Sequence, residues 1–537
     1  MSTQVPHTAV NNNAGYQNGV STYVQSAQGN GTPRGNTNYQ QAIYQNDVVK
    51  NGNTGGHDYF RFKTPPPVIQ PLVLDVPKKT IELFAAPTKE IMAQRSVMLN
   101  RIVGEDGRPT LESLMDPENF PFIEPAIVQS APKDYGVVHL KNIPYNSSRA
   151  EIVAFLGRNS RILNDNEEPV HIIMDRVTSK TNDAYVEFVT LEDAINAVNR
   201  IKNNMLKGRC ARLGERPVDI EVSSQSALMK DLFPIARGLR WNGSRPEFKQ
   251  PNPKEPWDNF KTFVTAEEMC MLVKHVEVPN RVTHIIPSQS PFSRDCPERA
   301  YECLISTIKK MPWYTTECIT IKQRHDIYEA CAKLIENLKM NIHDGRSPER
   351  LNETLQKRLV QAAMLCPGFT VVQKDSIASL VNMPDMELRS FNMPRYPDLW
   401  THQYTLGPKP GIPLDVLEYY IAIIREETTR AFATLSIREK QSLYSRGNNG
   451  YWGFFWREIA FPTGETFDEL TLAEAAEMEW DTIDRIIRRA VDIAYGGTGS
   501  EYSPRKGKEP LQITDGSTNG NGLMLQGANG DGVSLHW

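Results

Sequence analysis

Two short stretches, about 40 residues apart, constrain the fold of this chain most strongly. Residues 137–144 (VVHLKNIP) and residues 181–188 (TNDAYVEF) both alternate apolar and polar side chains. This period of two is typical of a strand with one buried face and one open face. The two stretches therefore predict a pair of half-buried strands in one sheet.

The surrounding residues add four more elements to this pair. After a polar turn, Ser148 precedes apolar positions at helical spacing, and residues 191–202 repeat that spacing. Residues 169–174 and 218–222 are rich in β-branched side chains, which favours strands. The order strand, helix, strand, strand, helix, strand over residues 133–223 predicts an α+β domain.

This order and the two strand motifs resemble the RNA recognition motif (RRM), in which they correspond to the RNP2 and RNP1 strands. The resemblance implies that the domain contacts single-stranded RNA. The three positions that usually carry stacking aromatics are His139, Asp183 and Tyr185 here. A carboxylate cannot stack on a base, so His139 and Tyr185 are the stacking candidates.

The string from Asp183 to Phe188 is similar to the quasi-RRM branch, the hnRNP F/H and epithelial splicing regulator type. That branch grips RNA with loops, which implies contacts from Tyr145 and from Arg216. Pro217 and Asn142 depart from the pattern of the branch, so the resemblance implies loop binding more firmly than a preference for G-rich RNA.

Charged residues are distributed unevenly along the RRM-like domain. Residues 133–221 contain 13 Lys and Arg against 13 Asp and Glu, but cations cluster after the second helix. Such a cluster can contact phosphate, and a solvated surface is the alternative. The predicted RNA-binding residues are His139, Lys141, Asn142, Tyr145, Arg176, Lys180, Tyr185, Arg209, Arg212 and Arg216.

The period changes from two to 3.6 downstream of the RRM-like unit. Residues 257–395 predict a mainly helical domain, which begins with a capping-box signature at Thr265 and Glu268. A degenerate second RRM is the alternative, because residues 317–321 also fit a strand. Residues 396–496 predict a further helical region, in which the aromatic stretch 451–456 packs into a core.

Residues 61–132 read as a Pro-containing linker with one short helix at 87–101. Residues 1–60 contain ten Asn, seven Gln and eight Gly but only two acids, so we expect a disordered tail. Its spaced Tyr residues resemble prion-like tails that mediate weak self-association, and a merely solvating tail is the alternative. Residues 497–537 predict a second disordered tail.

Composition narrows the setting and the chemistry. Seven scattered cysteines without a Cys-x-x-Cys pair favour a reducing, intracellular compartment, and no apolar run approaches the length of a membrane span. The chain lacks the motifs of phosphate loops, dinucleotide sites, zinc proteases and nucleophile elbows. We therefore expect no enzyme activity, no cofactor and no metal.

The sequence thus predicts an α+β protein: a βαββαβ RRM-like sandwich, then a mainly helical region, with disordered tails. The expected function is regulatory binding of single-stranded RNA in pre-mRNA processing or mRNA fate, in the nucleus rather than the cytoplasm, with protein partners on the helical region. The alternative is a protein–protein scaffold whose RRM fold does not bind RNA.

Overall fold

The structure is a computed structural model that describes residues 83–208, 211–278, 295–444 and 450–496. These ranges belong to one compact unit that spans residues 56–537. Both predicted tails, and the predicted site residue Arg209, lie outside the described residues.

The described part of the predicted linker is more structured than its sequence suggested. It forms α1 (Lys89–Gln94), α2 (Val97–Val103), α3 (Leu111–Met115), β1 (Phe122–Ile123) and α4 (Pro125–Val128). The single helix predicted at 87–101 is wrong, because extended backbone at Ser96 separates two helices. The Ser96 hydroxyl accepts the Leu99 amide and so caps the second of them.

The RRM-like order is confirmed. Its elements are β2 (Gly136–Lys141), α5 (Arg149–Leu156), β3 (Val170–Met174), β4 (Thr181–Phe188), α6 (Leu191–Leu206), the hairpin of β5 (Arg212–Leu213) and β6 (Arg216–Pro217), and β7 (Asp219–Ser223). The four long strands form an antiparallel sheet in the order β3–β4–β2–β7. Val138 on β2 lies opposite Val186 on one side and Val222 on the other.

One face of this sheet packs on α5 and α6. The alternation along the strands sends Val138, Leu140, Ala184 and Val186 to that face, where all four are fully buried. A capping box of Ser148 and Glu151 starts α5 at the predicted position. The two helices and this sheet face enclose a separate small core.

The described residues after β7 are mainly helical. They form α7 (Gln225–Leu232), β8 (Leu239–Asn242), β9 (Arg245–Phe248), α8 (Ala266–Glu277), α9 (Arg299–Lys310), α10 (Ile321–His343), α11 (Glu353–Met364), α12 (Val371–Leu380), α13 (Asp385–Ser390), β10 (Gly407–Pro408), α14 (Leu414–Ala433), α15 (Ile437–Tyr444), α16 (Phe455–Ile459), α17 (Glu465–Asp468) and α18 (Leu472–Ala494).

Several helix predictions can be compared with these bounds. The capping box of Thr265 and Glu268 is confirmed at the start of α8. The sequence Ser347-Pro348-Glu349-Arg350 also predicts a helix start, but the helix begins at Glu353, because the Asn352 side chain accepts the Leu355 amide. The described residues of 257–395 contain no strand, so the alternative of a second RRM is wrong there.

A second, larger core joins distant parts of the chain. It contains residues of the 83–126 segment, of α7 to α14, and of α18, together with Val137 and Tyr185 from the RRM-like sheet. The predicted burial of the aromatic stretch is confirmed, since Trp452 and Phe455 are at most 2% exposed. The open face of the sheet is therefore part of this core.

Candidate nucleic-acid interface

The open face of the sheet carries polar side chains that the neighbouring helices bind. His171 on β3 and Glu187 on β4 are both fully buried. His171 Nδ1 lies 3.0 Å from the Ser306 hydroxyl of α9, and its Nε2 lies 3.2 Å from Glu187. Neutral His171 satisfies both neighbours when Nε2–H donates to the carboxylate and Nδ1 accepts the hydroxyl.

Glu187 connects the sheet to two helices. Its Oε1 lies 2.5 Å from Lys310 Nζ at the end of α9, and it also accepts the side-chain amide of Gln225 on α7. A buried carboxylate is stable only when it is paired and hydrogen-bonded, and this one has three partners. The face that an RRM normally offers to RNA is thus an internal protein interface.

The predicted stacking residues belong to the same interface. Tyr185 is 2% exposed, and its hydroxyl donates to Asp231 of α7 at 2.6 Å. Its ring stacks on the His139 ring, with centroids 4.2 Å apart and planes 5° apart. His139 is 7% exposed and lies between Asp183 and Glu221. Stacking is present, but it is intramolecular and leaves no space for a base.

The loop after β2 is docked as well. The Arg299 guanidinium of α9 donates to the carbonyls of Tyr145 and Ser147, the latter at 2.5 Å. Half-buried Tyr145 has a raised pKa, first because of burial and then because of Cys296 and Asp295 beside it. At the base of the loop, Asn142 has a φ of 58° and donates its amide to Asp183. Tyr145, which the loop model assigns to RNA, therefore contacts residues of its own chain.

The two cations predicted in the β3–β4 loop have different surroundings. Arg176 is 3% exposed and pairs with Glu268 at 3.2 Å, while it also donates to Thr307 and to the Leu232 carbonyl. Lys180, four residues further, is exposed. Arg176 thus connects the loop to α7, α8 and α9, and only Lys180 is accessible to a ligand.

The remaining predicted cations lie on the outer side of the domain. Arg212 and Arg216 are exposed on the β5–β6 hairpin, and each donates to a nearby carbonyl, of Glu215 and Ile143 respectively. Lys141 is partly exposed and pairs with Glu221 at 2.7 Å. Lys202 and Lys207, at the end of α6, are exposed as well. We define the basic rim as Lys202, Lys207, Arg212 and Arg216.

The sequence did not single out the residues that close the sheet. His171 and Glu187 occupy alternate, open-face positions of two predicted strands, so they read as solvent-facing. The burial of Glu187 could be inferred only by identifying the residue that pairs with it. That residue, Lys310, is 123 positions away in the sequence. Arg358, which binds Glu168 through two nitrogens at 2.7 and 2.8 Å, belongs to the same unpredicted interface.

Acid should weaken this interface. Burial lowers the pKa of His171 below its usual value. Burial opposes ionisation of Glu187, but Lys310 and His171 outweigh it and lower the pKa of Glu187 to about 2. Neutral His171 therefore adds stability that is present above its unfolded pKa of 6.5 and lost as the pH falls below it, whereas the Glu187 contribution is lost between about 4.5 and 2.

We expect the urea-measured free energy of unfolding to fall between pH 6.5 and pH 5, and to fall less in His171→Gln. The matched control is His343→Gln, because the His343 side chain is 89% exposed. A wild-type profile that is flat in this range, or one that His171→Gln leaves unchanged, would contradict the burial of a neutral imidazole.

In the described ranges, no three His, Cys, Asp or Glu side chains converge in a way that could hold a metal ion. Within those ranges, no helix combines the length and the apolar character that crossing a membrane requires.

Comparisons with known protein families also separate the RRM-like unit from the helical residues that follow it. Residues 134–243 match a family described as "Domain of unknown function (DUF8400)", and residues 260–383 match one described as "Domain of unknown function (DUF8399)". The first match starts just before β2 and continues through α7 to the turn between β8 and β9. The helix that carries Asp231 and Gln225 therefore lies within the same matched unit as the sheet it covers.

A solved structure titled "Crystal structure of Glorund qRRM2 domain" is also similar, with 24% sequence identity and a TM-score of 0.15. The match covers 18% of this chain and 98% of that chain. At this TM-score the match carries no argument, so the RRM-like description of residues 133–223 stands on the order and register of the strands themselves.

Proposed function

We propose that this protein is a non-enzymatic regulator that binds single-stranded RNA through the basic rim of its RRM-like domain. One observation carries the proposal. Residues 200–216 contain six cations (Arg200, Lys202, Lys207, Arg209, Arg212 and Arg216) against one acid, Glu215, in a chain with a net charge of −4. All four residues of the basic rim are exposed.

The physical basis is the release of counterions from the RNA backbone. A cation that contacts a phosphate displaces condensed salt ions, so binding weakens as the salt concentration rises. The basic rim is a better candidate for the RNA contact than the sheet face, because that face is covered. Its aromatic residues Tyr185 and His139 already stack on each other, and the Tyr185 hydroxyl donates to Asp231 of α7. The loop model of the quasi-RRM branch is retained in part, with Arg212, Arg216 and Lys180 as its accessible cations.

The test is a charge-reversal variant of the full chain, Lys207→Glu with Arg212→Glu and Arg216→Glu. If each cation contacts one phosphate, the log–log salt slope on a single strand should fall by about 2, at about 0.7 for each lost contact. If the two chains bind equally at 1 M salt, the variant should therefore bind on the order of 100-fold more weakly than the wild type at 0.1 M salt. Fluorescence anisotropy of labelled U-rich, G-rich and mixed oligomers at several salt concentrations measures it.

The matched control reverses three exposed cations on helices outside the RRM-like domain, Lys357→Glu, Arg389→Glu and Arg438→Glu. Both variants change the net charge by −6, so a general charge effect would weaken them equally. Equal slopes for the rim variant and the control would exclude the basic rim as the RNA contact.

A protein–protein scaffold is the second candidate, and the covered sheet favours it. The RRM-like face already binds protein, namely α7 and α9 of its own chain, and further partners could bind the helical region. If no oligomer binds the wild-type chain with a Kd below ~100 µM, a range that ordinary non-specific nucleic-acid binding reaches, the scaffold takes the place of the RNA proposal.

The cellular setting forms part of the same proposal: pre-mRNA processing or mRNA fate, with residence in the nucleus rather than the cytoplasm. Crosslinking in cells, followed by sequencing of the bound RNA, distinguishes the two processes. Reads enriched in introns support processing, whereas reads confined to mature transcripts support control of mRNA fate.

A further inference from the structure

A second exposed surface lies outside the RRM-like sheet, around the junction of the two ranges that match family models. It consists of the β8–β9 hairpin and the short 3-10 helix Pro256–Asp258. Trp257 is 63% exposed and Phe248 is 39% exposed. Among the tryptophans of the described ranges, Trp257 alone is exposed, whereas Trp313 and Trp400 are 1% exposed. An indole held in water at this level is an unusual feature of a folded chain.

The aromatic side chains of the β8–β9 hairpin and of the segment after Trp257 are fixed by packing. The Phe248 ring meets the Phe260 ring edge to face at 4.9 Å, and Phe260 packs in the same way on fully buried Phe263. The backbone of 258–260 passes so close to Gly238 that a Cβ there would lie 2.3 Å from the Phe260 nitrogen. The hairpin and the segment 258–260 are therefore packed against the larger core.

The charge around Trp257 is positive. Residues 237–261 contain six cations and three acids. Two of the acids are paired, Glu247 with Arg240 at 2.8 Å and Asp258 with Lys249 at 3.8 Å. Lys254 and Lys261 lie three residues before and four residues after Trp257 in the chain, and both are exposed and form no ion pair within the described residues. The third acid, Glu255, accepts the side-chain amide of Asn252 at 3.2 Å. An exposed ring between unpaired cations suits a ligand that is both planar and anionic.

We propose that Trp257 stacks on a base of single-stranded RNA while Lys254 and Lys261 contact the adjacent phosphates. The inference rests on the proposed function and adds a second contact surface to the basic rim. Base stacking on an aromatic side chain needs no particular base, because every base has a π-face. A proline-rich peptide is the other ligand that exposed aromatics recognise, but the excess of cations favours an anionic strand.

The test measures RNA binding by the full chain and by Trp257→Ala. Loss of one stacking contact should raise Kd about 5- to 150-fold, the equivalent of about 1–3 kcal/mol. Trp257→Phe keeps an aromatic ring and should retain most of the affinity. Met386→Ala is the matched control, since Met386 is an 86% exposed apolar side chain far along the chain. Thermal melting of each variant should match the wild type, because these side chains are exposed.

Tryptophan emission gives a second readout. Stacking on a base should quench Trp257, so unlabelled RNA should lower the emission of the wild type but not that of Trp257→Phe. Wild-type affinity and quenching in Trp257→Ala would overturn the Trp257 site while the basic rim stands. Weakened binding in Trp257→Ala with an unaffected rim variant would overturn the rim and support Trp257. Quenching by a peptide of residues 61–71, but not by RNA, would overturn the RNA assignment of this surface.

Discussion

Replacing Arg176 by alanine should lower the free energy of unfolding by about 3–5 kcal/mol, as measured by urea denaturation of the full chain. The guanidinium is buried, and its removal takes a donor from Glu268 Oε1, from the Thr307 hydroxyl and from the Leu232 carbonyl in a site that excludes water. Thr265 still donates to the other oxygen, Glu268 Oε2. Leaving a buried charged or polar group without its partner costs more free energy than the intact pair contributes to stability.

Lys180→Ala is the control for this prediction, because it removes a cation from the same loop at an exposed position. Its effect on unfolding should lie within about 0.5 kcal/mol. Equal effects of the two substitutions would mean that Arg176 does not hold the loop against α7, α8 and α9. The two cations looked equivalent in sequence, and only their surroundings separate a structural residue from an accessible one.

Removing residues 1–126 should abolish cooperative melting. The segment 83–126 supplies nine buried side chains to the larger core, and six of them are Leu99, Ile102, Val103, Leu114, Phe120 and Phe122. At about 2 kcal/mol for each, their burial contributes roughly 12 kcal/mol, as much as the whole stability of many domains. Phe120 also stacks on Trp480 at 4.8 Å, and Phe122 lies 5.8 Å from Trp452.

The control is a chain that lacks only residues 1–60, the predicted tail. Its melting temperature, followed by circular dichroism, should equal that of the full chain. A chain of residues 127–537 that still melts cooperatively at the same temperature would show that the segment 83–126 is dispensable for the larger core. In that case the helical region would fold by its own apolar stripes alone.

Local features of this fold could be predicted from sequence because their causes are local. Alternation along 137–144 and 181–188 placed the strands. The apolar spacing after Ser148 and the capping-box signature at Thr265 placed two helix starts. The aromatic stretch around Trp452 was assigned correctly to a core, because so much apolar area is stable only when buried.

The interface on the sheet could not be predicted in the same way. His171 and Glu187 look like ordinary polar residues of an open face, and the groups that bury them come from Ser306 and Lys310, more than 120 residues later. Register within a sheet follows from a period of two, but nothing in that period says which distant helix covers the face. The same limit applies to Arg176, whose carboxylate partner Glu268 is 92 residues away.

Because distant helices cover the sheet face, only some of the predicted site residues are accessible. The sheet positions His139 and Tyr185, which the RRM resemblance favoured, are buried against α7. The accessible cations Arg212 and Arg216 came from charge clustering and from the quasi-RRM comparison. The exposed indole of Trp257 could not be recognised from sequence, because the same residue type is buried at Trp313 and Trp400.

The most direct test is ultraviolet crosslinking of the full chain to a single-stranded RNA, with the crosslinked peptides identified by mass spectrometry. An RNA that meets the outer surface should crosslink to peptides from residues 200–216 and 254–261. Peptides of β3 and β4 should then carry no crosslink, because α7 and α9 cover that face. Crosslinks on His171 or Tyr185, without crosslinks on the basic rim, would contradict the account and would mean that RNA binds the sheet after the helices have moved away.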